Sequence, residues 1–207
     1  VKNCVKFIII PLLAILPLAF FTACSTDEVG AVSGVISSPV FVSGGNIVVP
    51  DNHSLVKAMT IFDEVLTLSV YDINDIEIEK GMLALNLGNP RNSALKTVAL
   101  TGVTADPSDA KGLFILLFMD AKEEKVLVRF NEFDKKIVCF FYADKPVNVS
   151  GVNTDVNGEF HDFELNLKRG WNPVIVEYFS AQSRYKYSLG SQNSSFIWGL
   201  YNYSELF

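Results

Sequence analysis

From Val35 onward the sequence is cut into apolar segments of about five to nine residues, each closed by turn-forming residues, and that rhythm is the signature of a chain built from strands. Leu66–Tyr71, Leu83–Leu87, Leu113–Met119, Lys125–Phe130, Lys136–Ala143, Phe160–Leu167 and Val174–Phe179 are rich in β-branched and aromatic residues, which suit a pleated, half-buried surface. Val35–Ser37, Asn46–Val49, Lys96–Thr101, Asn148–Gly151 and Ser195–Leu200 complete the expected set. Alternation puts Phe163, Leu165 and Leu167 on one face, and does the same for Val126, Val128 and Phe130. The run Leu113–Phe118 is apolar at every position, which predicts a central strand covered on both sides. Gly44-Gly45-Asn46, Gly88-Asn89-Pro90, Asp106-Pro107-Ser108, Asn157-Gly158 and Gly170-Trp171-Asn172-Pro173 supply the turns.

One stretch reads differently. Ser54 can cap a helix, and Leu55, Met59, Phe62 and Leu66 then share a stripe, so a short helix is expected over 54–66. No alternation of strands with helices follows, which weighs against doubly wound folds and barrels of parallel strands. The expectation is an all-β domain over 35–207, an antiparallel β-sandwich of Ig-like or jelly-roll type with a closed β-barrel as the alternative. Hydrophobic residues at 49% supply enough apolar mass for a core.

The N-terminus has its own logic. Lys2 and Lys6 precede an uninterrupted apolar stretch from Phe7 to Phe21, too short for a spanning helix, which needs about 20 residues. Small and polar residues follow at once: Thr22-Ala23-Cys24-Ser25-Thr26-Asp27-Glu28. This layout is that of a secretory signal. The Thr22-Ala23-Cys24 junction resembles the bacterial lipoprotein signal, although Phe21 stands where that signal usually carries an aliphatic residue. The resemblance implies cleavage between Ala23 and Cys24, a signal peptide over 1–23, acyl chains on Cys24, a tether over 24–34, and a place in the cell envelope at the outer membrane. Acyl chains contribute about 0.8 kcal/mol of membrane affinity per buried CH₂, so two or three of them anchor stably. Cys4 would leave with the signal and Cys24 would carry lipid. Only Cys139 then remains as a thiol, so the fold must hold without an internal disulfide. Its setting in Ile137-Val138-Cys139-Phe140-Phe141 predicts a buried, inert thiol.

A second resemblance lies in Tyr142-Ala143-Asp144-Lys145, Val149-Ser150-Gly151 and Asn166-Leu167-Lys168-Arg169-Gly170-Trp171-Asn172. These segments look like uncharacterised lipoprotein β-sandwich domains. The resemblance implies a sandwich and no activity.

Charge narrows the partners. The whole chain carries -6, and residues 1–23 hold two lysines and no acid, so the remainder has 15 bases against 23 acids, or -8. Phosphate backbones repel such a domain, and nucleic acid is not an expected partner. The expected partners are the membrane, through the lipid, and a glycan or another envelope protein.

Three constellations carry residue types capable of chemistry. Asn153-x-Asp155-x-Asn157-Gly158, ending at Glu164, resembles the EF-hand calcium loop, whose candidate ligands here would be Asp155, Asn157, Glu159 and Glu164. The first position is a neutral amide, and Glu164 lies inside an alternating strand pattern, so a β-hairpin turning at Asn157-Gly158 is expected instead. His53 and His161 have no partners at metal spacing and read as a turn residue and a solvated hairpin residue. Carboxylates recur at Asp63-Glu64, at Asp75, Glu77 and Glu79, and at Glu123-Glu124, where solvated faces are expected. With no nucleophile motif, the expectation is a non-catalytic module without cofactor. Aromatic residues crowd the C-terminal part, and Trp171, Trp198, Tyr185 and Tyr187 are the candidates for stacking a sugar ring, set against the expectation that such rings fill the core.

Overall fold

The computed structural model describes residues 31–35, 41–43, 46–48, 53–61, 68–79, 82–131, 136–190 and 196–205. Ala23 and Cys24, with the whole expected signal, lie outside the described residues, as do Asp63 and Glu64. The all-β class holds. The strands are β1 (Ala31–Val35), β2 (Phe41–Ser43), β3 (Asn46–Val48), β4 (His53–Ile61), β5 (Leu68–Glu79), β6 (Met82–Asn86), β7 (Lys96–Thr97) and β8 (Val103–Asp106). They continue as β9 (Lys111–Met119), β10 (Lys125–Asn131), β11 (Lys136–Ala143), β12 (Val147–Thr154), β13 (Phe160–Leu167), β14 (Gly170–Phe179), β15 (Arg184–Ser188) and β16 (Ile197–Asn202).

Hydrogen bonds carry one open, mixed sheet along the path β1-β6-β5-β4-β9-β10-β11-β14-β15-β13-β12-β8, with β16 added to β10, β7 to β9, and β2-β3 as a separate ribbon. Among the described strands only β13 and β15 pair in parallel. The long strand β9 is the fork of the sheet. One edge takes β7 at Lys111–Gly112 and β4 further on, while the other takes β11 first and β10 at Phe118–Met119. Its residues Leu113, Phe114, Ile115, Leu117, Phe118 and Met119 are all buried, as the double-sided apolar run requires.

Alternation on β11 divides the interior. Val138, Phe140 and Tyr142 join one apolar cluster with Trp198 and Leu200 of β16, whereas Cys139, Phe141 and Ala143 join another with Phe163, Leu165 and Leu167 of β13. The sheet curls over this second cluster. Phe114 on β9 and Tyr187 on β15 lie 5.7 Å apart between ring centroids although β11 and β14 run between them. A flat sheet would hold those strands about 14 Å apart. The layers facing each other across this core thus belong to one ladder. Cys139 is fully buried in it, and burial pushes its thiol up far above the ordinary value.

Three expectations need correction. The segment expected to be helical over 54–66 forms strand β4 instead over its described part. The pairing of β4 with β5 shifts register between Leu55 and Lys57, where β5 advances four residues against two, and the fully buried positions of β4 fall at Leu55 and Ala58, a three-residue spacing that a helix also gives. Likewise His53 opens β4 rather than a turn. Residues 31–34, expected to be part of a tether over 24–34, lie in strand β1, which begins at Ala31 and pairs with β6.

Candidate functional site

Strands β12 and β13 pair from Val147↔Leu167 to Thr154↔Phe160, and five residues close the hairpin. The Asp155 N–H donates to the Glu159 carbonyl at 3.0 Å, and Gly158 takes φ +82°, where glycine is at ease. The Asp155 carboxylate organises the turn. Its Oδ1 accepts the backbone N–H of Asn157 at 2.9 Å and of Glu159 at 2.8 Å, and its Oδ2 accepts Asn157 Nδ2 at 3.3 Å. Partial burial pushes this carboxyl up, but the Glu159 and Asn157 N–H groups, helped by His161, outweigh it and hold it below the usual range.

Three strands then bring rings into one row. Across the sheet Tyr178 of β14 faces Tyr185 of β15, and Tyr185 faces His161 of β13. Centroids are 4.6 Å apart for Tyr178–Tyr185 and 4.9 Å for Tyr185–His161. The column continues inward through Tyr187, at 5.8 Å from His161, to Phe163 at 4.4 Å from Tyr187. His161 Nδ1 shares a hydrogen bond of 2.8 Å with the Tyr187 hydroxyl, and its Nε2 faces Asp155 Oδ2 at 3.6 Å. At the rim the Tyr178 hydroxyl donates to Glu159 Oε1 at 3.2 Å. Burial, then the Glu159 carboxylate, pushes the Tyr185 phenol up to about 12.

This corrects the reading of His161 as a solvated hairpin residue: it is buried. The signal was present, because His161 extends the alternation of Phe163, Leu165 and Leu167 by one more step. Burial lowers the His161 pKa, and the facing Asp155 and Glu159 only partly reverse this, so the imidazole is neutral at neutral pH. Tyr185 and Tyr187 are the other polar groups against it. An unfolded chain would protonate this histidine first, near pH 6.5. Its contribution to stability is therefore present above that value and is lost as pH falls below it. The melting temperature of wild type is expected to drop more steeply than that of His161→Gln between about pH 7.5 and about pH 5.5. Parallel slopes in a thermal scan series would remove this reading.

Of the four aromatic candidates, the structure brings together Tyr185 and Tyr187 and sends the tryptophans elsewhere. Trp198 is buried and stacks on Phe140 at 6.1 Å, and half-buried Trp171 donates from Nε1 to the Gly88 carbonyl at 2.7 Å. Both pack into the β16-side core, so neither forms an open platform. Of the calcium candidates, Asp155, Asn157 and Glu159 sit at the turn. Glu164 does not: it pairs across from Ser150, about 13 Å along β13 from Phe160. Among the described residues no three His, Cys, Asp or Glu side chains are grouped to hold a metal.

No family model, curated protein or solved structure matches this chain. On the outward face of β12, β13 and β15 lies a shallow trough of about 510 Å³, lined by Asn148, Ser150, Glu164, Asn166, Ser188 and Leu189 among others. It lacks a ring. The hairpin end instead offers one exposed phenol backed by a rigid aromatic column and a carboxylate fixed beside it, with the histidine and Tyr187 sealed beneath. This arrangement places a partly exposed ring beside a hydrogen-bond acceptor.

Proposed function

We propose that the chain is a lipid-anchored protein of the bacterial cell envelope, tethered through Cys24, whose β domain is a non-catalytic binding or structural module. The observation that carries this reading is the Thr22-Ala23-Cys24 junction directly after the apolar stretch Phe7–Phe21. The fold adds support of a second kind. Six residues, Ser25 to Gly30, separate Cys24 from β1, and an extended chain of that length spans at most about 20 Å. A domain so tethered works close to the bilayer surface, at the outer membrane on its periplasmic or external side. Its net charge of -8 keeps it off anionic polymers and leaves neutral ligands and envelope proteins as partners.

Cys24→Ser is expected to abolish acylation and leave the precursor uncleaved. Feeding cells an alkyne fatty acid and coupling a fluorophore to the purified protein reads this directly. Equal label on wild type and variant would end the anchor proposal, whatever the domain binds.

A further inference from the structure

The described surface of the domain distributes its exposed apolar side chains unevenly. Seven large hydrophobic residues are exposed, and five of them, Val152, Val156, Phe160, Tyr178 and Phe179, lie on the β12–β13 hairpin or at the neighbouring end of β14. The strand register sorts them by face. Phe179, Arg184 and Phe160 form one cross-strand row, where the Arg184 guanidinium lies 5.8 Å from the Phe160 ring centre and is tied to Asp162 at 3.3 Å. Tyr178, Tyr185 and His161 form the adjacent row on the opposite face.

The second row is built to hold one ring still. Tyr178 is 41% exposed, yet Tyr185 lies against it and Glu159 accepts its hydroxyl. Beneath Tyr185 the column is locked by the His161–Tyr187 hydrogen bond and by the Asp155 turn. Little freedom is left to lose when a ligand stacks, so the ordering cost of binding is small. One open ring face beside one carboxylate suits an amphipathic ligand that has a flat C–H surface and hydroxyl groups at its edge. Asp155 and Glu159 exclude an anionic ligand, and with Tyr185 already stacked against Tyr178 no cage of several ring faces remains for an ammonium group.

From this geometry we infer that the hairpin end of the domain is a binding site for a neutral saccharide, whose ring stacks on Tyr178 while its hydroxyls donate to Glu159. The inference rests on the binding-module reading and gives it a ligand class and an address. It does not use the tryptophans.

The test is retardation of the full chain, purified in detergent, on native gels cast with laminarin, xylan, mannan or amylopectin, and with polygalacturonate as the anionic counterpart. Wild type is expected to be retarded by at least one of the neutral polymers and not by polygalacturonate. Tyr178→Ala should lower the affinity about tenfold or more while the protein stays folded, with only a modest fall in melting temperature from the lost stacking on Tyr185. Glu159→Gln should weaken binding as well. Phe179→Ala, which removes a ring of nearly equal exposure from the opposite face, should bind as wild type does. Equal losses in Tyr178→Ala and Phe179→Ala would show plain apolar adhesion and overturn the site. Retardation by polygalacturonate, or by none of the neutral polymers, would overturn the ligand class. None of these outcomes touches the Cys24 labelling result, so the two readings fail separately.

Discussion

Phe114→Ala is expected to cost the domain about 3–5 kcal/mol, a large part of the total stability of an ordinary single domain. Phe114 is 2% exposed, and its ring meets the edges of both Phe141 and Tyr187 at 5.7 Å. These contacts join β9 to β11 and, across the curl of the sheet, to β15. Truncation removes apolar area and also leaves a cavity that the surrounding ladder cannot collapse around, because β9 is hydrogen-bonded along both edges. Urea unfolding followed by tryptophan fluorescence measures the loss, since Trp198 sits in the neighbouring core. A change below about 1 kcal/mol would mean that the curl over this ring is wrong.

Gly151→Ala should be nearly as damaging, at about 3 kcal/mol, although it adds only one methyl group. Gly151 has φ +130°, and a Cβ there would stand 2.2 Å from the Gly102 carbonyl oxygen. The facing residue is equally constrained: Gly102 has φ +78°, and its Cβ would stand 2.1 Å from the Val152 carbonyl oxygen. Two backbones thus touch where the turn before β8 meets β12, and the Val152 N–H donates to the Gly102 carbonyl at 3.0 Å. No rotamer relieves a clash with backbone atoms. Gly158→Ala is the control, because its φ is also left-handed but a Cβ there meets nothing within 4 Å. It should cost only about 1 kcal/mol, the strain of the backbone conformation alone. Similar denaturation midpoints for the two variants would show that the close approach is absent.

The parts of the fold that sequence made legible are those where one residue in two is apolar and the strand is straight. Phe163, Leu165 and Leu167 on β13 and the unbroken run of β9 are the plain cases. β4 resembles a helix in sequence because its fully buried positions, Leu55 and Ala58, stand three apart beside a shift in its pairing with β5, and that spacing is what a helix also gives. β15 was missed because Arg184 and Lys186 interrupt its tyrosines, and its apolar face is completed only by rings from β13 and β14. The candidate site was half visible for the same reason. The Asn157-Gly158 turn is local and can be read from the chain, whereas the Tyr178–Tyr185–His161 row exists only through a parallel pairing that no local signal announces. Trp198 attracted the sugar-stacking reading by residue type, but residue type does not distinguish a ring that lines a core from one that faces solvent.

The pairing of β10 with β16 has a consequence for how the chain is made. Val126, Leu127 and Val128 are buried only in part by strands that precede them in synthesis, since the outer edge of β10 pairs from Lys125↔Asn202 to Phe130↔Ile197. A polypeptide emerging N-terminus first therefore displays that edge, a row of unsatisfied backbone donors and acceptors with apolar flanks, through the whole interval in which β11 to β15 appear. Such an edge recruits strands from other nascent chains as readily as its own. The edge of β10 is thus open in the unfinished molecule and closes when β16 arrives.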